Sequence, residues 1–147
     1  MTIRKVKGEW QAGYKDTYRL DYSLSPIIYA ALKKFHDVLE KRNKEGECMG
    51  IPQGYMKNEE EWVTDSDVKD WLDDVQKMMY AFNPDSEPDI RDYDFSYPNM
   101  FTGDGKCDFT CSNEAERERY HEDRKKHQVK VEEGLKLFAE KYQDLWW

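Results

Sequence analysis

The sequence has no apolar run long enough for a membrane span, which needs about 20 predominantly apolar residues, and none near its start that resembles a secretion signal. Cysteine is scarce and odd in number, with three residues at Cys48, Cys107 and Cys111. An odd count does not favour a disulfide framework. We therefore expect reduced thiols in a cytoplasm.

Recognisable catalytic patterns are also missing. The chain has no Gly-rich phosphate loop, no Ser or Cys nucleophile in a recognisable His context, and no acid pair on the apolar side of a predicted helix. Carboxylates that could in principle hold Mg²⁺ are Asp65, Asp67, Asp70, Asp73, Asp74, Glu132 and Glu133. We interpret them as solvated helix faces, and we predict a protein that is not an enzyme and needs no cofactor.

One spacing superficially approaches that of a zinc finger. It joins Cys107 and Cys111 to His121 and His127. Two His residues six apart on one helix point about 120° away from each other, whereas a shared metal favours separations of three or four residues. The spacing therefore predicts no metal site.

Positive charge is in deficit: 23 Lys and Arg face 31 Asp and Glu, which gives a net charge of −8. Such a surface repels nucleic-acid phosphates and anionic lipid, so we expect neither direct nucleic-acid binding nor membrane binding. The acidity either serves solubility alone or forms a surface that mimics DNA or meets a basic protein.

Aromatic residues are abundant, with ten Tyr, six Phe and five Trp in 147 residues. A disordered chain is poor in aromatics, so the protein should fold, and its length suits a single domain covering residues 1–147. Three stretches have helical periodicity, at about 25–43, 65–82 and 113–146. In the second, the apolar series consists of Val68, Trp71, Leu72, Val75, Met79 and Phe82. The predicted class is all-α, with an irregular arm at 1–20 and a long loop at 83–112.

Local signals place the ends of these helices. Ser25 and Pro26 suit the cap and first position of the first helix, and Thr64 with Asp67 resembles a capping box at the start of the second. His36 lies beside the apolar stripe of the first helix, which predicts a partly exposed surface residue. Gly134 is unfavourable inside a helix, so we expect it to permit close backbone approach.

The last helix carries an apolar stripe of residues three or four apart, namely Val131, Leu135, Phe138, Tyr142 and Leu145. The chain then ends on Trp146 and Trp147. Because exposed indoles at a terminus are unfavourable, we predict that both tryptophans are docked against the body. Trp10 likewise should anchor the N-terminal arm.

The first half of the same helix is almost wholly charged apart from Tyr120. A helix that is polar on all sides either projects from the body or pairs with another chain. We predict a homo-oligomer whose seam includes Tyr120, Arg124, His127 and Val131. The preceding loop is long enough to be functional, and its alternating aromatics would allow a hairpin turned at residues 102–105; the alternative is an insertion that covers one side of the bundle.

Four segments resemble a family of small uncharacterised tailed-bacteriophage proteins: GYKDTYRLD, PIIYAALKKF, GYMKNEEEW and VEEGLKLFAEKYQDLWW. The family pattern has an Asp-Thr-Trp-x-Leu-Asp turn, a Leu-Lys helix, a Gly-Tyr-Pro loop before Glu-Glu-Trp, and a closing Leu-Trp-Trp. The resemblance covers roughly residues 10–82 and 128–147. Tyr18 stands where the family has Trp, Met56 stands where it has Pro, and residues 83–127 lie outside the resemblance.

The resemblance implies an accessory protein made in the cytoplasm of an infected bacterium, of a kind that often blunts host defence, for example as an anti-CRISPR. We expect it to bind and directly inhibit a host defence protein through its acidic exterior and long loop, in which Tyr93 and Asp94 are candidate contacts.

Two alternatives stay open. One is a sponge for a nucleotide immune signal, in which aromatic side chains stack on a base and two cations meet phosphates. Its candidate residues are Trp10, Tyr14, Tyr18 and Trp147 for stacking and Lys15 and Arg19 for the phosphates. The other is a dimeric structural or host-takeover factor.

Overall fold

A computed structural model describes residues 3–13, 19–47, 50–57, 63–101 and 105–146. The described part contains a two-stranded hairpin followed by three α-helices. Strands β1 (Ile3–Val6) and β2 (Glu9–Ala12) precede helices α1 (Leu20–Lys44), α2 (Asp65–Phe82) and α3 (Glu114–Lys141). The predicted mostly α class with three principal helices is confirmed.

The N-terminal arm is where the hairpin lies. β1 and β2 pair antiparallel, with Ile3 opposite Ala12 and Val6 opposite Glu9. The two turn residues, Lys7 and Gly8, have φ values of 50° and 90°, and positive φ at both positions suits the tight turn between two twisted strands. The arm was predicted to be extended or irregular; residues 3–6 and 9–12 are extended, and their pairing into a hairpin was not predicted. No strand occurs in the described parts of the 83–112 loop, 83–101 and 105–112.

Helix α1 begins five residues before the predicted cap. Arg19 precedes the helix with φ at 60°, and its carbonyl accepts hydrogen bonds from the N–H groups of Tyr22 and Ser23 at 3.1 and 3.2 Å. Pro26 therefore lies inside the helix, where it leaves the Tyr22 carbonyl without its usual partner. The predicted start at Ser25 was therefore wrong. The residue before a proline is biased away from the helical region, but it can still adopt that conformation.

The core forms between α1 and α2. Its fully buried side chains are Leu39 from α1 and Trp71, Val75 and Met78 from α2. The series predicted for α2 continues through Phe82, which is also buried, because positions 71, 75, 78 and 82 fall on one helical face. Two predicted members of that series, Leu72 and Met79, lie at its edges and are partly buried.

The predicted capping box at the start of α2 is confirmed. The Thr64 hydroxyl accepts from the Asp67 N–H at 3.3 Å, and the Asp67 carboxylate accepts from the Thr64 N–H at 3.0 Å. Asp67 was grouped with the solvated carboxylates, but this role buries it to 2% exposure. The hydrogen bonds from Thr64 lower the pKa of the Asp67 carboxyl.

A short 3-10 helix, Gln53–Tyr55, covers part of the core. The Tyr55 ring lies 5.0 Å from that of Trp71, and its hydroxyl donates to Asp74 Oδ2 at 2.7 Å. Burial and the neighbouring Asp74 carboxylate raise the pKa of Tyr55. In the loop that precedes this short helix, Ile51 is buried and belongs to the core cluster.

His36 is buried, so the prediction of a surface histidine was wrong. It shares the α1 face that packs on α2, and its Nε2 atom lies 3.1 Å from the Gln76 amide nitrogen. Because the amide nitrogen is a donor in this arrangement, the ring nitrogen is its acceptor. A histidine next to an apolar stripe can be buried in the core when a polar side chain there forms a hydrogen bond with its ring.

The end of α3 packs on the core only in part. The Phe138 ring lies 4.8 Å from that of Phe82, and Leu145 is partly buried against the core cluster. Tyr142 and Trp146 are 65% and 62% exposed. The predicted docking of Trp146 was therefore wrong. Trp147 lies outside the described residues.

The chain divides into two compact units. The first unit comprises Met1–Asp85 and Lys130–Trp147, and the second comprises Ser86–Val129. Helix α3 contributes its first part to the second unit and its last part to the first. The hairpin and the α1–α2 core belong to the first unit, and the long loop belongs almost entirely to the second.

Candidate protein-binding surface

The long loop packs against the charged first half of α3 through a cluster of aromatic rings. The Tyr120 ring lies 5.1 Å from the ring of Tyr93 and 5.8 Å from that of Phe95, and Phe95 lies 6.3 Å from Tyr97. Edge-to-face arrangements at such distances are favourable beyond the area they bury. Tyr120, the lone aromatic of the charged first half of α3, therefore contacts aromatic rings of its own chain.

Polar contacts reinforce this packing. The Tyr93 hydroxyl donates to Asp123 Oδ2 at 3.0 Å, and the Arg119 guanidinium lies 5.0 Å from the Tyr93 ring centre. Tyr93 and then Lys126 lower the pKa of Asp123 through their hydrogen bonds. Burial and then the Asp123 carboxylate raise the pKa of Tyr93. The structure thus assigns Tyr93, a predicted contact residue, a role in holding the loop on α3.

Two serines close the base of the loop. The Ser112 N–H donates to the Ser96 carbonyl at 2.9 Å, and the Ser96 N–H donates to the Ser112 hydroxyl at 2.8 Å. This pairing brings the two ends of the intervening stretch together. Phe101 and Phe109 on this loop are 84% and 61% exposed. The fold therefore presents apolar side chains beside a fixed base.

Negative charge is concentrated in and around this loop. Residues 83–116 carry nine carboxylates and two cations, a net charge of −7 out of −8 for the whole chain. We call residues 83–116 the acidic segment. The remaining 113 residues are close to neutral, so the acidity noted from composition is a local property of the chain.

Some carboxylates of the acidic segment are paired and others are not. Asp89 bonds to Arg91, which lowers the pKa of Asp89 to about 2, and Glu87 lies 3.6 Å from Arg124. Asp92 and Asp94 are exposed, and within the described residues their carboxylates make no salt bridge or hydrogen bond. These two side chains are therefore available to a cation on another molecule.

Residues predicted for a homo-oligomer seam lie along one side of α3. Arg124 lies 5.8 Å from the Tyr120 ring centre as well as near Glu87. His127 follows Tyr120 by two helical turns and is half-buried, as is Val131. Tyr120 and Arg124 thus contact the loop of their own chain, and the homo-oligomer remains a prediction.

The predicted nucleotide site falls largely outside the described residues. Tyr14, Lys15, Tyr18 and Trp147 lie outside them, and Trp10 is described only through its backbone, which pairs with Lys5. The remaining residue, Arg19, donates to Asp21 at 3.2 Å and stacks 3.8 Å above the Tyr22 ring. The guanidinium expected to meet phosphate has contacts on its own helix.

Metal-binding residue types do not converge in the described ranges. Cys107 is an exposed free thiol and Cys111 a buried one. Among the residues that the structure describes, no group of three or more His, Cys, Asp and Glu side chains could hold a metal ion.

Sequence reasoning missed Arg119 and Asp123 as partners of Tyr93. A pattern of charges at helical spacing predicts only that they share a helix face. Their use in holding the loop depends on where Tyr93 lies, which no local signal gives.

Within the described ranges, no helix is long and apolar enough to cross a membrane. Comparison with protein-family models, curated proteins and solved structures finds no match for this chain.

Proposed function

We propose that this protein acts by binding, not by catalysis, and that it inhibits a basic host defence protein in the cytoplasm of a bacterium infected by a phage. One observation supports the proposal most: seven of the eight net negative charges lie in the acidic segment. Complementary charge of this kind accelerates encounter with a basic surface and disfavours wrong partners. The resemblance to small phage proteins supplies the setting.

The structure supports this use of the acidic segment in a second way. Its aromatic residues Tyr93 and Phe95 pack on Tyr120, and Ser96 bonds to Ser112, so these parts of the segment are held before any partner arrives. A surface that is already ordered loses less conformational entropy on binding. Exposed Phe101 would add apolar area to a charged contact.

Two matched variants test the site. Asp92→Asn with Asp94→Asn removes two charges from exposed, unpaired carboxylates of the acidic segment. Glu9→Gln with Asp73→Asn removes two charges from exposed carboxylates in the first unit that likewise make no salt bridge within the described residues. Both variants have the same net charge, so only the location of the change differs.

The assay is phage plating on bacterial strains that each carry one defence system and express the protein. We expect the native protein and the Glu9/Asp73 variant to restore plating against at least one system, and the Asp92/Asp94 variant to restore it at least 10-fold less. Equal activity of the two variants would remove the acidic segment from the mechanism. No restoration by any of them would remove the counter-defence function.

The sponge alternative has its own readout. Mass spectrometry of small molecules released when the purified protein is denatured would detect a sequestered nucleotide. Recovery of a stoichiometric nucleotide would replace the protein-inhibitor proposal with the sponge.

A further inference from the structure

An apolar groove lies in the first unit, between α1 and the end of α3, with a volume of about 470 Å³. One wall is formed by α1, including Ile27, Ala31 and Phe35, and the other by Phe138, Tyr142 and Leu145. The groove is open to solvent, since Ile27 and Tyr142 are 49% and 65% exposed. It includes no residue of the acidic segment, so its test is independent of the proposed function.

The α1 wall is a regular helical ridge. Along α1 the lining residues run from Ile27 to Val38, a distance of about 16 Å at 1.5 Å per residue. On the opposite wall, Phe138 lies on α3, Tyr142 lies in the short 3-10 helix Tyr142–Asp144 that follows it, and Leu145 comes directly after that helix. The space between the α1 ridge and this apolar wall accepts the side chains of another helix, in the way that helices pack in bundles.

The groove contains one charge among its described lining residues, the ammonium group of Lys34. Lys34 is exposed and makes no salt bridge within the described part of the chain. By contrast, its neighbour Lys33 bonds to Asp37 at 3.2 Å. An apolar groove with a single unpaired cation favours an occupant that combines an apolar face with one carboxylate.

We propose that this groove binds an amphipathic α-helix of another protein, with aliphatic side chains facing the groove and a carboxylate facing Lys34. This is the helix-in-groove mode of recognition, in which residues at i, i+3, i+4 and i+7 provide the contacts. A small lipid-like carboxylate fits less well, because binding sites for small molecules enclose most of the ligand surface. Here Ile27 and Tyr142 are 49% and 65% exposed.

A second copy of this chain also fits less well. In a two-fold dimer the same patch meets itself, so the groove that carries Lys34 would face another such groove. No carboxylate lies among the described lining residues to pair with that cation. The charge of the groove therefore favours a different partner.

The test uses full-length protein and two synthetic helical peptides of about 18 residues, or five turns. Both carry leucine at i, i+3, i+4 and i+7 on an Ala/Gln background, with either Glu or Lys beside the leucine face. Fluorescence anisotropy should show that the Glu peptide binds at least 10-fold more tightly than the Lys peptide. The net charge of −8 alone would favour the Lys peptide. Lys34→Glu should reverse the preference.

Two further variants make the result specific. Ala31→Glu places a charge in the groove at an exposed helix position, and it should weaken both peptides at least 10-fold without lowering the Tm. Lys69→Glu makes the same charge change at an exposed lysine outside the groove and should leave the preference intact.

Three results would overturn the proposal. The first is no binding of either peptide at about 1 mM, which is weaker than about −4 kcal/mol. The second is equal binding of both peptides by native protein and Lys34→Glu. The third is a dimer in sedimentation that Ala31→Glu dissociates, since a second copy would then occupy the groove.

Discussion

At Gly134, α3 approaches α2 so closely that a methyl group would not fit. A Cβ atom there would lie 2.3 Å from the Lys77 carbonyl oxygen and 2.7 Å from the Ala81 Cβ atom. Carbon–oxygen contacts in proteins are normally about 3.3 Å or longer. The Gly134→Ala change would therefore push the two helices apart by about 1 Å at this point. This confirms the sequence prediction that Gly134 permits close backbone approach.

The expected effect combines two opposing terms. Alanine stabilises a helix interior by about 1 kcal/mol relative to glycine. Overpacking costs about 3 kcal/mol at the upper end of its usual range, which applies here because a backbone carbonyl cannot rotate away. The net result for Gly134→Ala is a loss of about 2 kcal/mol, or about 6 °C in Tm for a chain of this size.

Gly54→Ala is the matched control. Gly54 has no atom within 4 Å of its would-be Cβ and does not adopt a positive φ. This variant should have native or slightly higher stability. Urea unfolding followed by circular dichroism at 222 nm measures the free energy of unfolding of the Gly134→Ala and Gly54→Ala variants. A Gly134→Ala variant at least as stable as native protein would refute the close helix crossing, and a destabilised Gly54→Ala would show that the assay does not resolve local packing.

Three other predictions concern single side chains. Gln76→Leu removes the partner of buried His36 and should destabilise the fold by about 1 kcal/mol in urea unfolding; a neutral result would mean that water satisfies the ring. Tyr55 has a pKa raised above its unfolded value, so the stability it contributes is complete below about pH 10 and is lost as pH rises further. Absorbance titration at 295 nm should show a late-ionising tyrosine that Tyr55→Phe removes, and an unchanged titration curve would contradict the bond to Asp74. Trp146→Ala should change the free energy of unfolding by less than about 0.5 kcal/mol, because the side chain is 62% exposed. A large loss of stability would instead show that Trp146 is docked against the body.

The second helix was predictable because its capping signals and its apolar periodicity agree. Thr64 and Asp67 mark its start, the apolar series through Trp71 and Val75 marks its buried face, and Asn83 ends it. Each of these signals depends on neighbours within one or two turns, and such signals survive folding when the buried face is wide enough to be covered.

The sequence signals failed at the start of α1 and at the C-terminal tryptophan Trp146. Pro26 is typical of a first helical turn, yet α1 begins earlier, at Leu20, directly after Arg19 with its left-handed backbone conformation. Trp146 was expected to be buried on grounds of apolar area, but its side chain is 62% exposed. Periodicity gives the face of a helix; it does not tell whether another helix covers that face.

The candidate site shows the same division. Composition gave the negative charge, and counting along the chain places it in 83–116. In the sequence, a segment without periodicity lies between Tyr93 and the start of the helix that carries Tyr120. The contact between their rings at 5.1 Å could therefore not be predicted. The absence of helical period in the loop identified a region without regular structure, but not the surface against which it packs.

The most direct test of the account is quantitative affinity purification from phage-infected cells, with native protein, the Asp92→Asn/Asp94→Asn variant and the Glu9→Gln/Asp73→Asn variant compared side by side. We predict a basic host protein whose recovery falls about 10-fold with the first variant, equivalent to about 1.4 kcal/mol for two charges. It should be recovered fully with the second, and raised salt should release it. Equal recovery with both variants, or an enriched partner that is not basic, would contradict binding through the acidic segment.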